Sequence, residues 1–328
     1  GKGFQVDSVQ ESKTAGGMAF RNTVAWRKIL LAAAWIGSAV GLICAAAQER
    51  EEISELEEME IRATPPILED VARTDLADRV IRINAEQIEA LHAGDLSAAL
   101  RRIPGVTVSR YNVVGAFGGS DGGAVFIRGQ GSGRPGAEIT TLVDGIPRFT
   151  GVWTHPLLDT LSVDVAQGIE VYKSPQPVLF GNMAFAAIDI TPKRAREDGS
   201  GGQVYNGFGS WNTWTARVEA WARDGNVDAY LVGSHRESDG HREQADGRVD
   251  ALFANAGFRP AANWDVSLQV HYTDSRADDA GDITETPAPP VAGIVPRFET
   301  ESLFLLGKAV RMREGGRSEL RVYLEDGT

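Results

Sequence analysis

The sequence of 328 residues predicts a small α+β domain followed by the first antiparallel strands of a transmembrane β-barrel. Three observations carry that expectation. Short strand and helix signals alternate from Val71 to Lys193, separated by glycine-rich turns. Beyond Lys193, segments of about ten residues alternate apolar and polar with a period of two, the length and pattern of tilted membrane strands. A basic and then apolar stretch near the N-terminus has the layout of an export signal.

Composition bounds the answer without deciding it. Hydrophobic residues make up 42% and charged residues 24%, an ordinary balance. A membrane barrel hides in such numbers, because lipid-facing and lumen-facing residues alternate and their hydropathies average out. The net charge of −12 argues against a phosphate-binding surface and excludes nucleic acid as a partner.

Residues 1–17 have no assigned role and read as an upstream segment. Residues 18–47, from Met18, read as a signal peptide: Arg21, Arg27 and Lys28 precede an apolar run from Ile29 to Ala47 that ends in Ala45, Ala46 and Ala47. A membrane-spanning helix is the competing reading of so long a run. Cleavage after Ala47 would remove Cys44, the only cysteine, so the mature chain would rely on packing and strand pairing. Residues 48–67 are acidic, contain Pro65 and Pro66, and read as a flexible extension.

The α+β domain is expected over residues 68–195. Val80–Ile83 reads as a strand. Asn84 then opens a helix, with Gln87 completing a capping box and Gly94 ending it. A second helix, Asp95–Arg102, gathers Leu96, Ala99, Leu100 and Ile103 on one face and stops at Pro104 and Gly105. Strands Val106–Ser109, Val125–Arg128, Thr141–Val143 and Ile169–Tyr172 follow.

Residues 196–328 read as the N-terminal part of the barrel. In Asn263–Tyr272, Trp264, Val266, Leu268, Val270 and Tyr272 share one face, and Asp265, Ser267, Gln269 and His271 the other. Trp214–Ala222 and Glu319–Glu325 repeat the alternation. Arg217 and Glu219 on the inner face favour a water-filled lumen, since a soluble β-sandwich would have to bury both. The segment Asp274–Pro296 reads as a long extracellular loop, and Asp326-Gly327-Thr328 as a turn. Roughly seven strands cannot close a barrel around a folded domain, and an open sheet edge is not tolerated in lipid. The chain is therefore expected to be the N-terminal part of a longer protein.

Five motifs stand in a fixed order: A-L-R-R-I-P-G-V-T-V (Ala99–Val108), V-F-I-R-G (Val125–Gly129), T-L-V-D-G-I-P (Thr141–Pro147), I-E-V-Y-K-S-P (Ile169–Pro175) and V-L-F-G-N…I-D-I-T-P-K (Val178–Lys193). Together they resemble the plug domain of TonB-dependent outer-membrane receptors. That resemblance implies a barrel of about twenty-two strands when complete, with the plug inside it. It also implies a TonB box, to which Leu56, Glu57, Glu58, Met59, Glu60 and Ile61 are similar, although Glu60 and Arg62 depart from the family's usual residues. Such a segment pairs as an added strand, which needs an extended backbone more than particular side chains. No room exists between Gln48 and Leu56 for the folded signalling domain that some members carry. The resemblance further implies a latch between Arg128 and carboxylates on the wall, since an enclosed guanidinium must be paired. Three plug loops would face outward, Arg110–Gly123, Gly129–Gly136 and Arg148–His155, with Tyr111, Arg134, Phe149, Trp153 and His155 as ligand-binding candidates.

Catalytic patterns fail on context. Gly118-Gly119-Ser120-Asp121-Gly122 matches a nucleophile elbow, but a strand follows it where a helix is required. Gly129, Gly131 and Gly133 open no apolar helix. The five histidines are scattered, and Asp274, Asp278, Asp279 and Asp282 read as a solvated loop. No catalytic residue, metal site or cofactor is expected. The resemblance implies an outer-membrane receptor of a Gram-negative bacterium that imports a scarce nutrient. A ferric siderophore is the first expectation, with cobalamin, another metal chelate or an oligosaccharide as alternatives. A surface-binding protein that transports nothing is a further alternative. The implied partners are TonB with its inner-membrane energising complex, the small-molecule ligand and outer-membrane lipid.

Overall fold

The computed structural model of the chain describes residues 70–74, 77–108, 113–114, 125–130, 139–148, 161–175, 185–278 and 297–327. Strand β1 (Asp70–Thr74) pairs antiparallel with β2 (Ala77–Asn84). Asn84 ends β2 and caps helix α1 (Ala85–Ala90). Its Oδ1 accepts from the Gln87 N–H at 2.8 Å, and Gln87 Oε1 accepts from the Asn84 N–H at 2.9 Å, the reciprocal box expected from the sequence. The helix does not reach Gly94. It closes at Ala90 because His92 takes the left-handed position at φ 47°, while the His92 and Ala93 N–H groups reach back to the carbonyls of Glu89 and Ile88.

Helix α2 (Leu96–Leu100) is capped by Asp95, whose Oδ1 accepts from the Ala98 N–H at 2.6 Å. Leu96, Ala99, Leu100 and Ile103 are all buried, as the helical spacing requires. Gly105, at φ 78°, then turns the chain into β3 (Val106–Val108), which pairs with β4 (Val125–Ile127). Strands β5 (Ile139–Val143), β6 (Ile146–Pro147), β7 (Ala166–Tyr172) and β8 (Ala186–Pro192) complete the domain, with a 3-10 turn at Val163–Val165. The six-stranded sheet runs β1-β2-β7-β8-β5-β6, and β5 lies parallel to β8 while the other neighbours are antiparallel. Strand β1 sits at its edge.

After β8 the chain forms seven antiparallel strands in sequence order: β9 (Gly199–Phe208), β10 (Trp214–Asp224), β11 (Val227–Ser238), β12 (Gly247–Phe258), β13 (Trp264–Asp278), β14 (Arg297–Arg313) and β15 (Gly316–Gly327). One end of this sheet carries short connections, such as Gly225-Asn226 and Glu314-Gly315; the other carries the longer ones, 239–246 and 279–296. Asp274–Asp278, expected in a loop, continue β13, and Asp326 and Gly327, expected as a turn, continue β15 by pairing with Leu303 and Ser302. In both places the partner strand β14 extends far enough to satisfy the backbone of residues whose side chains favour turns.

Side chains of the seven-stranded sheet reverse the soluble rule. In β13 the polar Ser267, Gln269, His271, Thr273 and Ser275 are buried, whereas Val266 and Leu268 are exposed. Val204 on β9, Val218 on β10, and Leu320, Val322 and Leu324 on β15 are exposed as well. Apolar residues face out and polar residues face in, the pattern of a strand between lipid and lumen. Plug and wall also share one core: Ile81, Leu100, Ile127, Ile169 and Ile188 cluster with Val232, Phe253, Phe304 and Leu306 from β11, β12 and β14. The lumen face is therefore not water-filled here. Glu219 is buried against the plug, and its charge is matched by ion pairs rather than by solvent.

Candidate functional site

Among the described residues, five groups of charged side chains join the α+β domain to the wall. The most enclosed centres on Asp164, in the 3-10 turn that leads into β7. Ser162 caps that turn, accepting from the Asp164 N–H at 3.2 Å and donating to Oδ2 at 3.0 Å. The carboxylate, 1% exposed, receives both terminal nitrogens of Arg236 on β11, at 2.6 and 2.8 Å, and Arg217 on β10 at 3.4 Å. Burial alone would raise the Asp164 pKa, but the bidentate Arg236 guanidinium outweighs it, aided by Ser234 and Arg217, and holds the group well below the usual carboxylate range.

A second contact is the tip of the β5–β6 hairpin. Asp144 and Gly145 have φ of 50° and 74°, positive at both central positions as in a type I′ turn, which favours Asp-Gly. Asp144 receives Lys308 of β14 at 2.6 Å and Gln269 of β13 at 3.1 Å, and the Gly145 N–H donates to Asp189 at 3.1 Å. Arg321 of β15 lies against Gly145, so a Cβ there would fall 2.6 Å from its Nη1. Gly145→Ala therefore meets backbone strain of about 1–2 kcal/mol as well as that contact. Its expected result is a lower unfolding midpoint of the plug, read by protease protection of the full-length protein. Unchanged protection would mean that the tip does not bear on the wall.

The third contact is Arg148, which directly follows β6. Its guanidinium is buried over the Phe304 ring, 4.3 Å from the centroid, and donates to Glu325 at 3.0 and 2.9 Å and to Ser302 at 3.2 Å. The fourth is the junction between plug and wall. Lys193 pairs with Glu219 at 2.7 Å, and Tyr230 donates to the same carboxylate at 2.7 Å. Next to it, Arg194 binds Asp228 through two nitrogens at 2.6 and 2.8 Å and Asp265 at 2.6 Å. The fifth is Glu89 of α1, which receives Arg217 and Gln203, each at 3.0 Å.

Of the sequence-predicted site residues, Arg128 alone lies among the described ones. It is exposed, at φ 52° just after β4, and its N–H donates to Gly105; it forms no ion pair with another described residue. Leu56, Glu57, Glu58, Met59, Glu60, Ile61, Tyr111, Arg134, Phe149, Trp153 and His155 lie outside the described residues, as does Ser120. Sequence reasoning passed over Asp144, Arg148, Asp164, Lys193 and Arg194. The Asp-Gly pair inside T-L-V-D-G-I-P was a legible turn signal, whereas nothing local marks Asp164. Among the described residues no group of three or more His, Cys, Asp or Glu is placed to hold a metal ion.

A folded α+β domain clamped by ion pairs against strands that turn their apolar side outward has the architecture of a plug seated on part of a barrel wall. Residues 72–188 match the TonB-dependent Receptor Plug Domain family, so the chain carries that plug joined to wall strands of the same architecture. Over 182 residues it is 28% identical to the vitamin B12 transporter BtuB of Vibrio vulnificus (strain CMCP6), covering 55% of this chain and 27% of that protein. Its fold resembles the alcaligin outer membrane receptor FauA from Bordetella pertussis, with a TM-score of 0.58 and 17% identity over 76% of this chain and 38% of that one. It also resembles P. aeruginosa FpvA in a complex with a pyoverdine and iron, with a TM-score of 0.62 and 15% identity over 78% of this chain and 34% of that one. The chain thus spans well under half the length of these relatives. They are receptors and transporters, not enzymes.

Proposed function

We propose that the protein containing this chain is an outer-membrane receptor that imports a scarce nutrient by coupling to TonB. The plug family match, together with a plug held by ion pairs inside outward-apolar strands, is the observation that supports this reading. A porous outer membrane holds no potential that could drive import, so work must come from an inner-membrane partner. The box at Leu56, Glu57, Glu58, Met59, Glu60 and Ile61 precedes β1, the edge strand of the plug sheet. A pull on the box would reach that edge first, before the strands tied to the wall by Asp144 and Asp164.

A ferric siderophore is the first choice of cargo, supported by the alcaligin and pyoverdine receptors that share the fold. Cobalamin is the second, favoured by the vitamin B12 transporter, the relative with the higher identity. The loops containing Tyr111, Arg134, Phe149, Trp153 and His155 would contact it. Arg128 would latch onto wall strands other than the seven described. The N-terminal segment 18–47 would direct export to the outer membrane.

Ile61→Pro tests the coupling, because proline removes the backbone N–H that an added strand would use. In iron-starved cells carrying the full-length gene, uptake of labelled ferric siderophore should fall to the level of a gene deletion while surface binding persists. Uptake unaffected by the substitution would overturn coupling through the box. Gene-dependent uptake of labelled cobalamin instead would select the second cargo.

A further inference from the structure

A cavity of about 580 Å³ opens between the plug helices and wall strands β10 and β11, beside α2, and Val113 and Val114 of the segment Arg110–Gly123 also line it. That volume lies within the range of small-molecule sites. Arg101, Arg102, Arg236 and His92 line it together with Thr213 and Thr215, and no carboxylate does. Arg101 and Arg102 follow α2, are exposed, and form no ion pair with another described residue.

Arg236 bounds the cavity from the wall. Its side chain is 8% exposed, and its two terminal nitrogens are used on Asp164. Its Nε is buried with no hydrogen-bond partner. The charge of Arg236 is met by Asp164, whereas Arg101 and Arg102 bring two like charges to the cavity that repel each other unless negative charge joins them. Arginine forks match the planar oxygens of carboxylates and phosphates. A smaller cavity of about 110 Å³ shares His92, Gly94, Thr215 and Arg236 and is lined also by Glu89, Asp164 and Lys193.

We propose that this cavity is an oxyanion-binding site, in which Arg101 and Arg102 hold the carboxylate or phosphate groups of a small molecule. That the anion is the recognition group of a cargo passing the plug rests on the import reading; the binding does not.

The test is calorimetric titration of the purified full-length receptor with citrate and, separately, with inorganic phosphate, using the wild type and the double variant R101Q/R102Q. Both substituted side chains are exposed, so the fold should survive, and protease protection of the plug checks it. Citrate should bind, with an affinity that falls as ionic strength rises and drops at least about tenfold in the double variant, in line with charge-assisted recognition. Phosphate binding of equal strength and equal sensitivity to the variant would identify a general phosphate site in place of a carboxylate-selective one and would leave the oxyanion site standing. No binding of either anion by the wild type, or binding that the double variant leaves intact, would overturn it. Gene-dependent uptake blocked by Ile61→Pro alongside absent anion binding would sink the cavity site alone. Anion binding without such uptake would sink the import reading alone.

Discussion

Replacing Asp164 by alanine is expected to weaken seating of the plug by about 3–5 kcal/mol, the usual cost of leaving a buried partner charge uncompensated. The carboxylate is 1% exposed and is the acceptor for both terminal nitrogens of Arg236, whose own side chain is 8% exposed. Equilibrium unfolding of the full-length protein, followed by protease cleavage of the plug, would measure the loss. Arg217 also reaches Asp164 but has Glu89 and Glu219 as further partners, so Arg236 is the group left stranded. Asp164→Leu combined with Arg236→Met should therefore recover most of the stability, because an apolar pair of similar volume avoids the desolvation of both ions. A double variant as damaged as the single one would show that the pair does more than match charge.

The acid dependence has a definite sign. A carboxylate whose folded pKa lies below its unfolded value of about 3.9 contributes stability that is complete above that value and is lost only as pH falls through the depressed folded pKa. Seating through Asp164 should thus be constant from neutral pH down to about 5. Its loss on stronger acidification should be smaller in Asp164→Ala than in the wild type.

The second large effect is expected at Leu268. It lies midway along the apolar stretch of the outward face of β13, from Trp264 to Tyr272, and is 55% exposed. An arginine near the middle of a bilayer-facing strand costs about 2–4 kcal/mol, and the cost declines toward the interfaces. Leu268→Arg should accordingly lower the unfolding free energy in lipid by that amount and reduce the heat-resistant, assembled fraction in the outer membrane. Were the sheet half of a soluble sandwich instead, its buried face would be the one carrying Ser267, Gln269 and His271, and arginine at the exposed Leu268 would be harmless. An unchanged assembled fraction would therefore refute a lipid-facing wall.

Much of each element was legible because its signals are local. The Asn84–Gln87 capping box, the buried stripe of Leu96, Ala99, Leu100 and Ile103, and the two faces of β13 all follow from spacing within a few residues. The misses were local signals overruled by neighbours. His92 closed α1 in place of Gly94, and β14 drew Asp274–Asp278 and Asp326-Gly327 into strands.

The sequence by itself determined that polar residues would face inward along the wall and that a plug would precede it. Only the tertiary structure decided what those polar residues meet. Arg217 and Glu219 read as facing water, yet the plug covers them and Asp164, Glu89 and Lys193 answer their charge. Arg128 was the arginine singled out in advance, while the described contacts fall on Asp144, Arg148 and Asp164, whose partners lie 164, 177 and 72 residues away along the chain. Alternation fixes which face a side chain takes, since the strand period is two. It carries no information about how one folded body docks against another, because that register is set by the shape and charge of two surfaces assembled from distant segments.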